Sequence, residues 1–120
     1  MTKSTAHTAI TEPSATEWVV TRNGTEVARS TAVVLVRETY QGRELGAVPY
    51  FPRADVVTLV GPSSRTTHCP VKGDASYYAI DGDPGTEDGI WSYVTPMSPL
   101  EGIAGHVSFY GDRFEITPVG

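Results

Sequence analysis

Glu17-Trp18-Val19-Val20-Thr21-Arg22-Asn23-Gly24-Thr25-Glu26-Val27-Ala28-Arg29 decides the fold. Asn23 and Gly24 both tolerate positive φ, and a two-residue turn of that kind matches the right-handed twist of flanking strands. The turn pairs Val20 with Val27 and sets Trp18 opposite Arg29, where the guanidinium can lie on the indole. An all-β chain follows from this hairpin if the rest supplies strands.

Working outward, the rest does so. Thr31-Ala32-Val33-Val34-Leu35-Val36 is a β-branched run suited to a strand covered on both faces. Arg37-Glu38 ends it and reads as a strand-end ion pair. Gln41 to Glu44 reads as a loop. Pro49-Tyr50-Phe51-Pro52 is extended, because a residue before proline is pushed away from helix, and Arg53-Ala54-Asp55 makes a helical turn behind Pro52. Val56 to Val60, Tyr77 to Ile80, Ile90 to Val94, His106 to Tyr110 and Phe114 to Thr117 read as further strands. Ser98-Pro99-Leu100-Glu101 is a capping box whose helix is cut short by Gly102 and Gly105. The expectation is a compact antiparallel, barrel-like or sandwich domain of about eight short strands with one or two short helical turns. Residues 1–16, rich in Thr, Ser and Ala, read as a disordered tail in which His7 is solvated, leaving 17–120 as the single domain.

Composition bounds the function. A net charge of −5 argues against a nucleic-acid backbone binder. The part after Ala79 is the most acidic, with seven carboxylates against Arg113 alone, so an anionic partner would be attracted by Arg65, Lys72 and the earlier arginines. One cysteine excludes an internal disulfide and fits a reducing compartment. No apolar run approaches the roughly 20 residues that span a bilayer, and the first residues lack the apolar stretch of a signal peptide. The reading is a cytoplasmic protein with no membrane partner.

Chemistry concentrates in Arg65-Thr66-Thr67-His68-Cys69-Pro70-Val71-Lys72-Gly73-Asp74-Ala75-Ser76-Tyr77-Tyr78, which holds the only cysteine and, apart from Lys3, the only lysine. A nucleophilic thiol needs a nearby cation to depress its pKa. On a strand His68 points away from Cys69, so Cys69 reads as buried and structural. A tetrahedral zinc site needs about four Cys or His ligands in paired spacings, which this chain lacks. Lys72-Gly73-Asp74 has no upstream glycine of the Walker pattern, although a lysine beside glycine can still hold an anion. Metal and cofactor are therefore not called for. The aromatics exceed what the inward positions of a small β domain require, and of an adjacent pair such as Tyr77-Tyr78 one fills the core while the other can wall a groove. Aromatic walls with a few polar groups make a small-molecule pocket. The expected site is Lys72, His68, Tyr50, Tyr77, Trp91 and Tyr93, taking a small organic anion or carbonyl-bearing metabolite. In an enzymatic version His68, with Asp74 or Glu38, moves a proton and Lys72 anchors the substrate.

Leu35 to Glu38, Tyr50 to Val56, Thr67 to Tyr77, Trp91-Ser92-Tyr93 and Ile103 to Tyr110 together resemble, in the same order, the motifs of the bacterial domain of unknown function 427 family. The resemblance implies a β-tent domain, in which two antiparallel sheets lean together over a ligand-sized cleft. It also adds Arg37 to the expected site. The family has carried a nucleotidyltransferase-like label that no residue here supports. Glu87-Asp88-Gly89 and Gly111-Asp112 depart from the family's Glu-Asn and Trp-Asp.

Overall fold

The computed structural model of the chain describes residues 7–119. In order come β1 (His7–Pro13), β2 (Glu17–Arg22), β3 (Thr25–Ser30), β4 (Val34–Tyr40), β5 (Arg43–Pro52), β6 (Leu59–Val60), β7 (Thr66–Cys69), β8 (Gly73–Ile80), β9 (Ile90–Tyr93), β10 (His106–Phe109) and β11 (Glu115–Val119). Three single turns of 3-10 helix, Arg53–Asp55, Pro84–Thr86 and Glu101–Ile103, are the only helical elements among the described residues. None is long and apolar enough to cross a membrane. The all-β expectation holds.

All strand pairs are antiparallel, in two sheets. The large sheet runs β1-β4-β5-β10-β9-β8-β6, with β7 also on β8; the small one runs β11-β2-β3. Asn23 and Gly24 take positive φ of 51° and 81°, as the hairpin requires. Its register differs from the expectation. A bulge between Val20 and Thr21 leaves Val27 unpaired, so Val20 faces Ala28 and Trp18 faces Ser30. Arg29 therefore does not stack on Trp18; it bridges Glu17 at 3.0 Å and Glu26 at 2.8 Å.

Other differences concern extent. Gln41 and Gly42, with φ of 52° and 78°, make a tight turn, and Arg43 and Glu44 of the expected loop are already strand. The capping-box segment yields one 3-10 turn at Glu101–Ile103. Most important, His7–Pro13 is not tail: it pairs with β4 from His7↔Tyr40 to Pro13↔Val34. Residues 1–6 of the expected tail lie outside the described residues.

Adjacent residues on the central strands point to opposite faces, and each face builds its own core. Between the sheets, Val20, Phe51, Ile90, Val107, Phe109 and Phe114 are buried, and Phe109 meets Phe51 and Phe114 edge-on with ring centroids 5.4 and 5.1 Å apart. Trp18 packs at the margin of this core and its indole donates to Ser14 Oγ at 2.9 Å. On the opposite face Val36, Tyr50, Ala75, Tyr77 and Tyr93 are buried under Leu100 and Ile103. Burying one such side chain fully is worth about 1.5–3 kcal/mol.

Candidate ligand-binding site

The second core differs from the first in carrying hydroxyls. Tyr50, Tyr77, Trp91 and Tyr93 come from neighbouring strands, with Tyr110 just beyond β10, and several of their polar atoms are paired. Trp91 Nε1 donates to Tyr50 Oη at 3.0 Å. Tyr77 Oη and Thr67 Oγ1 are 2.7 Å apart. Trp91 and Tyr110 stack at a tilt with ring centroids 4.5 Å apart, and Arg65 lies 4.4 Å over the Tyr77 ring. Burial pushes both Tyr50 and Tyr93 far above the ordinary tyrosine pKa, the Trp91 bond opposing part of the shift at Tyr50. These rings pack on one another rather than wall an open groove: Tyr50 is 1 % exposed, Tyr77 4 % and Tyr93 7 %. Only Trp91 and Tyr110 are half-buried.

Ionised groups enter at one edge of this core. Lys72 sits in the turn between β7 and β8. Its carbonyl accepts from Met97 N–H at 3.0 Å. Gly73 follows with φ of +111°, and a Cβ there would lie 3.2 Å from the Thr95 carbonyl oxygen. Glycine is what lets the turn approach the 95–97 segment this closely. Opposite, the β4–β5 register shifts between Arg37 and Thr39, where Gly46 has φ of +101°. At this bulge Leu45 and Gly46 oppose Glu38, a device that re-aims a side chain. Glu38 Oε1 meets Lys72 Nζ at 2.7 Å, with side-chain exposures of 19 % and 17 %. Its other oxygen bonds His7 Nε2. Burial pushes the Glu38 carboxyl up, but the bonds from Lys72 and His7 and their charges outweigh it, so its pKa lies below the ordinary glutamate value. Glu38 is thus a carboxylate at neutral pH, clasped from both sides. His7, read from sequence as solvated tail, is one of its two partners.

Two clefts flank Met97. The first, about 380 Å³, lies between His7, Thr8, Ala9 and Ile10 on one wall and Pro70, Val71, Ser98 and Pro99 on the other. The second, about 420 Å³, is lined by His68, Asp74, Ser76, Val94 and Thr95. There His68 Nδ1 and Asp74 Oδ1 are 2.7 Å apart, with both side chains well exposed.

The expected site residues therefore fall in three places. Lys72, Tyr50, Tyr77, Trp91 and Tyr93 share the second-core side of the sheet. His68 and Asp74 pair across β7 and β8 beside the second cleft and make no bond to Lys72. Arg37 bridges Glu12 at 2.6 Å and Glu44 at 3.2 Å instead of Glu38. On a strand, adjacent Arg37 and Glu38 point to opposite faces, which is why they do not pair. Cys69 is a free thiol, half-buried against the second core. Among the described residues no three His, Cys, Asp or Glu side chains gather as metal ligands. Sequence reasoning missed His7, Ile10 and Met97; the β-branched Thr8, Ile10 and Thr11 were the available signal for a strand there.

A family model described as a domain of unknown function (DUF427) matches residues 10–120. No curated protein matches the sequence.

Proposed function

The chain belongs to the DUF427 family, whose description names no activity, and on that premise we propose that it binds a small organic ligand in the 380 Å³ cleft beside β1. The supporting observation is the chain of groups His7–Glu38–Lys72. Three titratable side chains with exposures of 25 %, 19 % and 17 % are held together at the edge of the tyrosine core, and one of them, His7, lines the apolar cleft. Desolvating charges is costly, and a desolvated cluster with a specific charge partner at a cleft is a mark of functional sites. The walls offer Ala9, Val71 and Pro99 to an apolar body. His7 Nδ1, the ring nitrogen not used by Glu38, donates to a carboxylate or carbonyl head when the ring is protonated and accepts from a hydroxyl head when it is neutral. The clasp fixes the orientation of that ring, as an imidazole bonded through one nitrogen presents the other.

The test uses short aliphatic carboxylates, butanoate to octanoate, added to isotopically labelled protein. Binding moves the backbone amide resonances of Ala9, Val71 and Met97, and His7→Ala abolishes the movement. If neither these acids nor the matching alcohols move any of these resonances, the reading is wrong.

A second reading, proton transfer at the other cleft, draws support from the 2.7 Å His68–Asp74 contact. A carboxylate on one imidazole nitrogen orients the ring and leaves the other for a substrate proton. In this version Lys72 takes no part, because it is committed to Glu38. Its test is hydrogen–deuterium exchange at the α-carbon of simple ketones, lost in His68→Gln.

A further inference from the structure

We propose that the ligand of the cleft beside β1 is an extended peptide segment, added as a further antiparallel or parallel strand along the free edge of β1. This rests on that cleft being the binding site and puts a peptide there in place of the small organic ligand, so that binding of the peptide without the carboxylates supports it. Four consecutive residues, 7 to 10, line the cleft, although alternate side chains of a strand point to opposite faces. A cleft touched by all four therefore runs along the edge of the strand, not over one of its faces. Among the described residues β1 is the terminal strand of the large sheet and pairs only with β4. In a strand of an antiparallel pair, every second residue turns both its N–H and its C=O away from the partner. Two of the four residues thus present a donor and an acceptor to the cleft. Among the described residues, no backbone bond outside strand pairing reaches them.

The facing wall is complementary in the opposite sense. Pro70 and Pro99 have no N–H and that of Met97 is taken by the Lys72 carbonyl, so the facing wall is poorer in backbone donors than its length would suggest. Ile10 and Met97, 54 % and 44 % exposed, flank it and suit alternate apolar side chains of an incoming strand. Main-chain bonds to a sheet edge with pockets for alternate side chains are the features of strand addition. A carboxylate answers one outward N–H, whereas an extended peptide answers the N–H and C=O of both outward residues in register, and this favours a peptide.

The probe is acetyl-Thr-Val-Thr-Val-amide, beside its depsipeptide in which the central amide N–H is replaced by an ester oxygen. The expected result is movement of the residue 8–10 amide resonances, slower hydrogen exchange at the two outward amides, and roughly two- to tenfold weaker binding of the ester, one backbone hydrogen bond's worth. Equal affinity of amide and ester overturns strand addition. Carboxylates that bind where the peptide does not leave the cleft a small-molecule site and overturn this inference alone. If neither class binds, the inference and the reading beneath it fail together. Should sedimentation show the protein self-associating, with the peptide dissociating it, the occupant is a second copy of the chain and the proposal is likewise overturned.

Discussion

Tyr50 and Phe51 are neighbours in sequence and almost equally buried, at 1 % and 0 % exposure, yet they belong to cores of different chemistry. Phe51 enters a core of hydrocarbon, where Phe109 meets it edge-on and Phe114 in turn meets Phe109. Tyr50 enters one in which most large rings carry a hydroxyl or an indole N–H. The same alternation separates Ile90 from Trp91 and Phe109 from Tyr110. Hydrocarbon packing gives stability without directional demands, whereas buried hydroxyls need partners and fix their own geometry. The difference teaches where to look for function: the first core closes the sheets, and the second ends in a clasp of charged groups beside a cleft.

The comparison is broken most directly at its hydrocarbon side. Phe51→Ala should cost about 3–5 kcal/mol in urea unfolding, because a sealed ring leaves a cavity. A loss below about 1 kcal/mol would mean that the first core is not the stabilising one. Next comes the clasp. Lys72→Met strands the Glu38 carboxylate with His7 alone and should cost about 1–3 kcal/mol. Glu38→Gln in the same background should recover part of it, and additive losses would show that the two groups do not act together.

Acid sharpens the same contrast. The folded-state pKa of Glu38 lies below its unfolded value. Its contribution is therefore full above the ordinary glutamate pKa and disappears as pH falls through the lower, folded one. Thermal midpoints of wild type should fall more steeply on acidification across that window than those of Glu38→Gln; parallel acid limbs would remove the clasp from the account. The smallest effect is expected at Tyr50→Phe, which removes one acceptor and leaves the Trp91 N–H without it. About 1 kcal/mol is expected from chemical unfolding, against the several lost at its neighbour.

Much of the fold was legible because its signals are local. Asn23-Gly24 has few conformational alternatives, and adjacent aromatic pairs announce strands with a ring on each face, although the ring expected to wall a groove is itself buried in Tyr50-Phe51 and Tyr77-Tyr78. β1 was not legible. Of its residues only Ala9 is buried, and what holds it is pairing with β4, about thirty residues away in sequence. Local composition does not encode that pairing. The site shows the same division. Lys72 stood out because it was alone, but its partner was read as partner to Arg37. The bulge at Leu45-Gly46, whose identity depends on register with β4, decides otherwise. Met97 comes to the site through the close approach at Gly73, a contact between segments that no sequence period reveals.

The chain has two tryptophans, and each indole lies in a different half: Trp18 at the margin of the hydrocarbon core, Trp91 in the hydroxylated one. Their N–H groups bond a serine and a tyrosine respectively. Emission from an indole follows the polarity and quenching groups around it, so the protein carries a separate optical label for each core. With Trp18→Phe and Trp91→Phe in hand, one variant reports the closing of the two sheets and the other the ordering of the tyrosine face. The order in which the halves assemble after dilution from denaturant then becomes a matter of two fluorescence traces.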